Sequence, residues 1–193
     1  MIEIFGAVEM NEPELAASLA AAGLVYLGME ESCALLLPPT LANLATGYPP
    51  EGEPPGGVSV ELSDPRLLEK ANAGWYEASL EVGLFNEQRE FLVAIDRGDN
   101  AWWWARVRLT DTWDIMGVGA AGVLGIRWCL PRFVMTSVDC DVIVCGTDWE
   151  SSIGCLLARP RRSQRFRDFA VQWAEYDSTS EFERAATRRW LTR

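Results

Sequence analysis

The segment GVGAAGVLG has the spacing that most closely fits a known binding chemistry. Gly117, Gly119 and Gly122 satisfy the pattern G-x-G-x-x-G, in which glycines let the pyrophosphate of a dinucleotide approach the backbone. The strand predicted before this segment is short, and Pro131 would stop a helix after it. We therefore expect a turn built of small residues. A nucleotide-binding protein or enzyme that uses the segment from Gly117 to Gly125 is kept as the alternative.

Carboxylates are the remaining groups for acid and base chemistry, because the sequence contains no histidine. The candidates are Asp139 with Asp141, Asp111 with Asp114, and also Asp148 and Glu150. Asp139 and Asp141 flank a predicted hairpin turn, where aspartate is favoured because it hydrogen-bonds to nearby backbone. The segment DRGDN lacks the spaced ligands and the terminal glutamate of a calcium loop. We therefore expect a protein that is not an enzyme and that needs no cofactor and no metal.

The five cysteines are odd in number, have apolar neighbours and form no C-x-x-C pair. This usage is typical of reduced, buried thiols in a cytoplasmic protein. The opening MIEIFGAVEM contains two glutamates and no basic residue, which is unlike a signal peptide. No apolar run reaches the length of about 18 residues that a membrane helix needs. The sequence therefore predicts a cytoplasmic location and no membrane partner.

The segment AWWWARVRL combines three tryptophans with two arginines in a predicted strand. Alternation along the strand places Trp102, Trp104, Arg106 and Arg108 on one face and the apolar positions on the other. Either helices cover both faces and the tryptophans are core residues, or this face binds a partner. Tryptophan and arginine are the residue types most enriched at interface hot spots, which favours an interaction surface.

Acidic turns flank this strand at both ends, so an aromatic centre with an acidic rim is predicted. Such a surface suits a basic protein partner. The predicted partner-binding residues are Asp96, Asp99, Asn100, Trp102, Trp104, Arg106, Asp111 and Asp114.

Charge is distributed unevenly in this 193-residue chain of net charge -11. Residues 1–100 contain four basic and seventeen acidic residues, whereas the remainder is slightly basic. A negative body repels nucleic acid and attracts cationic partners. The sequence predicts an acidic binding protein, specifically an immunity or inhibitor protein that occludes a basic enzyme such as a bacterial toxin. A self-associating structural subunit, with the tryptophan face as the seam of a homodimer, is a further alternative.

Element signals along the chain predict how these residues are positioned. Asn11 and Glu14 form a capping box for an N-terminal helix, and Ser180 with Glu183 forms another near the end. EFLVAID and AWWWARVRL form the best-supported hairpin, and RFVMTSV pairs with DVIVCG. Further strands are predicted at LVYLGME, CALLLP, VSVEL, YEASLEVGLF and SIGCLLAR, and short helices at TLANLATG and SDPRLLEKAN.

These elements predict an α+β fold, with a mostly antiparallel sheet and the helices packed on one face of it. The N-terminal helix and two C-terminal amphipathic helices form the helical layer. The length of the chain fits a single domain over residues 1–193. Four prolines and four glycines in GYPPEGEPPGG predict an exposed loop at residues 47–57.

Overall fold

An antiparallel sheet of seven strands organises the chain, and two further strands form a separate ribbon. The computed structural model describes residues 11–30, 37–96, 102–126, 130–176 and 178–192. The strands are β1 (Leu24–Met29), β2 (Gly56–Glu61), β3 (Glu90–Asp96), β4 (Trp102–Leu109), β5 (Gly125–Ile126), β6 (Leu130–Pro131), β7 (Val134–Thr136), β8 (Ile143–Asp148) and β9 (Ser152–Ala158).

Helices precede, interrupt and follow the strands in the sequence. They are α1 (Glu12–Ala21), α2 (Pro39–Leu44), α3 (Leu67–Val82), α4 (Gln164–Trp173) and α5 (Glu181–Leu191), with short 3₁₀ segments at Ala45–Gly47 and Pro160–Arg162 and a π-helix at Ile115–Gly119. None of the helices in the described ranges has the length and apolarity that crossing a bilayer requires.

The order of strands in the large sheet is β1-β4-β3-β7-β8-β9-β2. The predicted hairpin of β3 and β4 is confirmed, with Glu90 opposite Arg108 and Asp96 opposite Trp102. The predicted pairing of β7 with β8 is also confirmed, and β9 continues the sheet antiparallel to β8. The fold is α+β, as predicted from the sequence.

Helices cover both faces of the sheet, so the prediction of a single helical layer is wrong. Along β3, Phe91, Val93 and Ile95 face a first core that contains residues of α1 and α3. Leu92 and Ala94 face a second core, formed with residues of α2, α4 and α5. A strand buried on both faces has a nearly continuous apolar sequence, and EFLVAID fits that description.

Helix α3 differs most from the prediction, which placed a strand at YEASLEVGLF. Its buried residues Ala71, Trp75, Ala78 and Ser79 follow the helical spacing i, i+4, i+7 and i+8 on the side that faces the sheet. The helix ends at Gly83, whose φ of +83° is the left-handed conformation typical of a glycine cap. One helix of 16 residues therefore replaces the predicted short helix and strand.

Both predicted helix caps are present. The Asn11 side chain accepts a hydrogen bond from the Glu14 amide at 3.0 Å, and Ser180 accepts one from the Glu183 amide at 3.2 Å. The predicted proline-rich loop is exposed over residues 51–57, and its last two glycines begin β2. Most of the predicted strand CALLLP lies outside the described residues.

Candidate functional site

The two tryptophans predicted to form a binding surface occupy different environments. Trp104 is 1% exposed and packs in the second core, where its indole Nε1 donates a hydrogen bond to the Leu37 carbonyl at 2.8 Å. Its assignment to an exposed surface is wrong, because helices cover this face of β4 as well as the other. Trp102, at the start of the same strand, is 39% exposed. One indole of the predicted pair is therefore accessible.

Arg106 forms an ion pair on the surface of the sheet. Its Nε and Nη2 atoms donate to Glu90 Oε2 at 3.0 and 2.6 Å. This hydrogen bonding from Arg106 lowers the pKa of the Glu90 carboxyl below its usual value of 4.5. The guanidinium is thus matched by a carboxylate of the neighbouring strand, so it is not an unpaired charge offered to a partner.

The predicted acidic rim is divided between the two ends of the β3–β4 hairpin. Asp96 lies opposite Trp102 at one end, whereas Asp111 follows β4 at the other and pairs with Arg89 at 2.8 Å. Because a strand rises about 3.3 Å per residue, an eight-residue strand separates these groups by more than about 20 Å. The predicted residues Asp99 and Asn100 lie outside the described residues.

Asp114 has a structural position at the start of the π-helix. Its carboxylate accepts hydrogen bonds from the amides of Gly117 and Val118, both at 2.9 Å, and from Asn72 Nδ2. A Cβ added at Gly117 would lie 2.4 Å from this carboxylate, so glycine is required for the close approach. The side chain predicted as part of the rim acts here as a helix cap.

The same contacts bear on the alternative of a nucleotide site in the glycine-rich segment. A phosphate cradle needs free backbone amides at the start of a helix. In this chain, the amides of Gly117 and Val118 already donate to Asp114, whose negative charge would repel a phosphate. Gly119 and Gly125 pack closely against neighbouring atoms. This geometry disfavours a phosphate site. The expected turn is present at residues 122–124, but Gly117 and Gly119 belong to the π-helix.

Asp139 and Asp141 belong to the turn between β7 and β8. Asp139 Oδ1 accepts hydrogen bonds from the Ser137 hydroxyl at 2.6 Å and from the Asp141 amide at 3.1 Å. The Asp141 carboxylate accepts one from Arg161 Nε at 2.5 Å. Each carboxylate thus has a local partner, as the prediction of a turn-forming pair implies. Within the described ranges, no group of three or more His, Cys, Asp or Glu side chains has metal-binding geometry.

The cysteines in the described residues are buried free thiols, as predicted. Burial raises the pKa of Cys140 to about 11 and the pKa values of Cys145 and Cys155 to about 12. A thiol with such a pKa stays protonated at neutral pH and is a poor nucleophile. Cys33 and Cys129 lie outside the described residues.

Charge differs between the two helical layers of the fold. The helices packed on the first core, α1 and α3, contain five glutamates and one lysine. Those on the second core, α4 and α5, contain five arginines and three acidic residues. The outward side of α1 and α3, which we call the acidic face, is therefore negative, whereas α4 and α5 together carry a slight positive charge.

Helix α3 provides the most regular part of the acidic face. Glu69, Ala73, Glu77, Leu80 and Glu81 are exposed at intervals of three or four residues, which places them along one side of the helix. Leu80 is 59% exposed between two glutamates. The sequence analysis missed this surface because it assigned the second half of α3 to a strand. Glu69, Glu77 and Glu81 are separated by eight and four residues, which places them on one side of a helix. This spacing was the signal that could have revealed the acidic surface.

A cleft of about 670 Å³ lies on the second face of the sheet. Its lining residues come from β4, β7, β8 and β9, from the segment containing α2, from the end of α4 and from the β5–β6 ribbon. Trp102 is the predicted site residue that lines it. The sequence gives no signal for this cleft, because its residues come together only when the segments pack.

Comparisons of the chain with protein-family models, curated proteins and solved structures found no significant match.

Proposed function

We propose that this chain is an inhibitor or immunity protein that binds a basic protein with its acidic face and occludes the partner's active site or positive groove. The observation that carries this proposal is the separation of charge between the two helical layers. Five of the six charged residues of α1 and α3 are glutamates. Positions on the solvent side of a helix accept acidic and basic residues alike, so folding alone does not require this excess of glutamate. A bacterial toxin with a cationic active site is the kind of enzyme that such a surface would bind.

Electrostatic steering gives this arrangement a kinetic advantage. A surface of one sign raises the rate of association with an oppositely charged partner by roughly ten- to a thousandfold at low ionic strength. Of the seventeen basic residues in the sequence, seven lie on α4, α5 and the 3₁₀ segment before them, whereas α1 and α3 carry a single lysine. Few positive charges therefore offset the glutamates within the two helices of the acidic face. A basic partner would therefore approach α1 and α3 first.

An apolar group on the acidic face supplies contact area once the partner has docked. Leu80 on α3 is 59% exposed. A single exposed leucine is ordinary, but this one lies beside Glu77 and Glu81 on the same side of the helix. Burying it in an interface would lower the dissociation rate, because removing apolar area from water favours the bound state. Charge would then govern association and apolar contact would govern release.

The chemistry of the described residues supports binding better than turnover. The buried thiols have raised pKa values, and the carboxylates of Asp114, Asp139 and Asp141 are engaged in local hydrogen bonds. Catalysis by a general base needs a side chain that lies near the substrate and has a pKa close to the working pH.

A pair of charge-reversal variants tests the proposal. The acidic-face variant replaces Glu69, Glu77 and Glu81 with lysine. The matched control replaces three exposed glutamates elsewhere, Glu53, Glu150 and Glu175, and so changes the net charge equally. Each chain is immobilised and exposed to a lysate of the cells that produce it. We expect wild type and control to retain a basic enzyme that the acidic-face variant loses, and the retained enzyme to be inactive at equimolar ratio.

The dependence of binding on salt and the comparison with the control variant distinguish specific binding of the enzyme from nonspecific attraction by net charge. Raising the ionic strength should slow association with the enzyme more than it speeds dissociation, because salt screens exposed charges beyond a distance of about 10 Å at 0.1 M. Equal loss of binding in both variants would mean that net charge alone attracts the enzyme. A captured enzyme that remains fully active while bound would contradict the inhibitor function.

A further inference from the structure

The cleft on the second face has a floor of sheet residues and walls of helix and ribbon. Val134, Cys145 and Thr147 contribute to it from β7 and β8, while Leu44 of α2 and Trp173 at the end of α4 line it from the helical layer. These positions lie on the side of the sheet opposite the first core. Its volume of about 670 Å³ falls within the range of roughly 300–1,000 Å³ that is typical of small-molecule sites.

Among the lining residues in the described ranges, Arg132 is the charged one, although the chain as a whole carries -11. Its Nε donates to Asp148 Oδ1 at 2.5 Å. Cys145 is buried and protonated, because burial raises its pKa to about 12. A charged ligand entering the cleft would lose hydration without gaining an unpaired opposite charge, which is unfavourable.

Exposed apolar side chains are grouped around this cleft. Leu44, Trp102 and Ile126 line it and are 37%, 39% and 52% exposed, respectively. They come from three distant parts of the sequence, so their proximity is a product of the fold. A ligand in contact with all three would remove apolar area from water, which is the main source of affinity for uncharged ligands. Asn43 and Thr147 add an amide and a hydroxyl to the lining for hydrogen bonding.

We propose that this cleft binds an uncharged, mainly apolar small molecule that contains an aromatic ring and a hydrogen-bonding group, with the ring against Trp102. The proposal goes beyond the binding of a basic protein and uses the opposite face of the sheet. Volume, the paired state of Arg132 and the grouping of exposed apolar side chains support it independently of one another.

Three anthracene derivatives of similar size test both the site and the class of ligand. They are 9-anthracenemethanol, which is uncharged, 9-anthracenecarboxylate and 9-anthracenemethylammonium, and their fluorescence is excited outside the range of tryptophan. Titration of each with the full chain, followed by fluorescence anisotropy, should give saturable binding of the alcohol. Both ions should bind at least about tenfold more weakly, because each loses hydration in the cleft.

Trp102 and Trp149 form a matched pair for locating the ligand, since both are 39% exposed and only Trp102 lines the cleft. Trp102→Ala should weaken binding of the alcohol by at least about tenfold, whereas Trp149→Ala should change it by less than about twofold. Thr147→Phe, which fills the cleft from its floor, should also abolish binding while circular dichroism shows that the fold is retained.

Four outcomes would overturn the proposal. These are no saturable binding of the alcohol up to its solubility, equal or tighter binding of either ion, equal weakening by the two tryptophan variants, and unchanged binding by a folded Thr147→Phe variant.

Discussion

Asn72 of α3 and Asp114 at the start of the π-helix are joined by a hydrogen bond of 2.6 Å from Nδ2 to Oδ1. The other end of the Asn72 amide accepts a hydrogen bond from the Met116 backbone at 2.9 Å. Together these two side chains satisfy the first amides of the π-helix and fasten it to α3. The glycine-rich segment is thus fastened to the helix that carries most of the acidic face.

Replacing Asp114 by alanine should destabilise the fold. The variant leaves the amides of Gly117 and Val118 and the side chain of Asn72 without their acceptor, and we expect a loss of about 2–3 kcal/mol in the free energy of unfolding. Asp111→Ala is the control, because Asp111 is fully exposed and a surface ion pair contributes less than about 1 kcal/mol. Urea denaturation followed by tryptophan fluorescence measures both. Equal effects of the two substitutions would contradict the capping role.

Trp104→Phe should destabilise the second core. The variant keeps an aromatic ring there but removes the donor to the Leu37 carbonyl and part of the ring volume, at an expected cost of about 1–3 kcal/mol in the free energy of unfolding. Trp102→Phe, at an accessible position of the same strand, should cost less than about 0.5 kcal/mol. Thermal and urea melts provide the comparison, and a larger effect at Trp102 would contradict the burial of Trp104.

The ion pair of Glu90 with Arg106 should make the fold more stable at neutral pH than in acid. Hydrogen bonding from Arg106 lowers the pKa of Glu90 in the folded chain, so the carboxylate stabilises the fold above its ordinary pKa of 4.5. This stabilisation is lost as the pH falls through the lowered, folded-state value. Wild type and Glu90→Gln should therefore differ most near neutral pH and converge in acid. NMR titration should show a higher pKa of Glu90 in the Arg106→Gln variant than in wild type. An unchanged pKa would contradict the role of Arg106 in lowering it.

Cys140, Cys145 and Cys155 should resist thiol reagents in the folded chain. Burial raises the pKa of each thiol to about 11 or 12, so little thiolate forms even at pH 8. Alkylation with iodoacetamide followed by peptide mass spectrometry should leave these three residues unmodified until guanidinium unfolds the protein. Rapid labelling of Cys145 under native conditions would contradict the burial and the raised pKa of its thiol.

The strand pattern predicted the hairpins because period-two alternation and turn residues act locally. EFLVAID and AWWWARVRL pair in the structure, and Ala105, Val107 and Leu109 face the first core. The same local pattern could not decide whether Trp104 is exposed, because that depends on α2 and the C-terminal helices covering the second face. Those helices meet the sheet through contacts between distant segments, which alternation does not encode.

Period-two alternation also misled the prediction at α3. Tyr76, Ala78, Leu80, Val82 and Leu84 alternate with more polar residues as in a strand, yet Leu80 is 59% exposed on the helix. The competing helical pattern, Ala71, Trp75, Ala78 and Ser79, was already present in the same segment. In the structure, Trp75 is fully buried in the first core and marks the inner side of this helix.

Strand β2 pairs with β9 along its whole length, from Gly56 opposite Leu157 to Glu61 opposite Ser152. During translation, β2 leaves the ribosome some ninety residues before its only neighbour in the described sheet. The nascent chain must therefore keep an unpaired strand until β9 is synthesised, and the second core stays open until Trp190 follows. Non-local pairing of this kind slows folding and prolongs the exposure of apolar strands. Production of the chain in cells should accordingly depend on how quickly the residues from β9 to Trp190 are made.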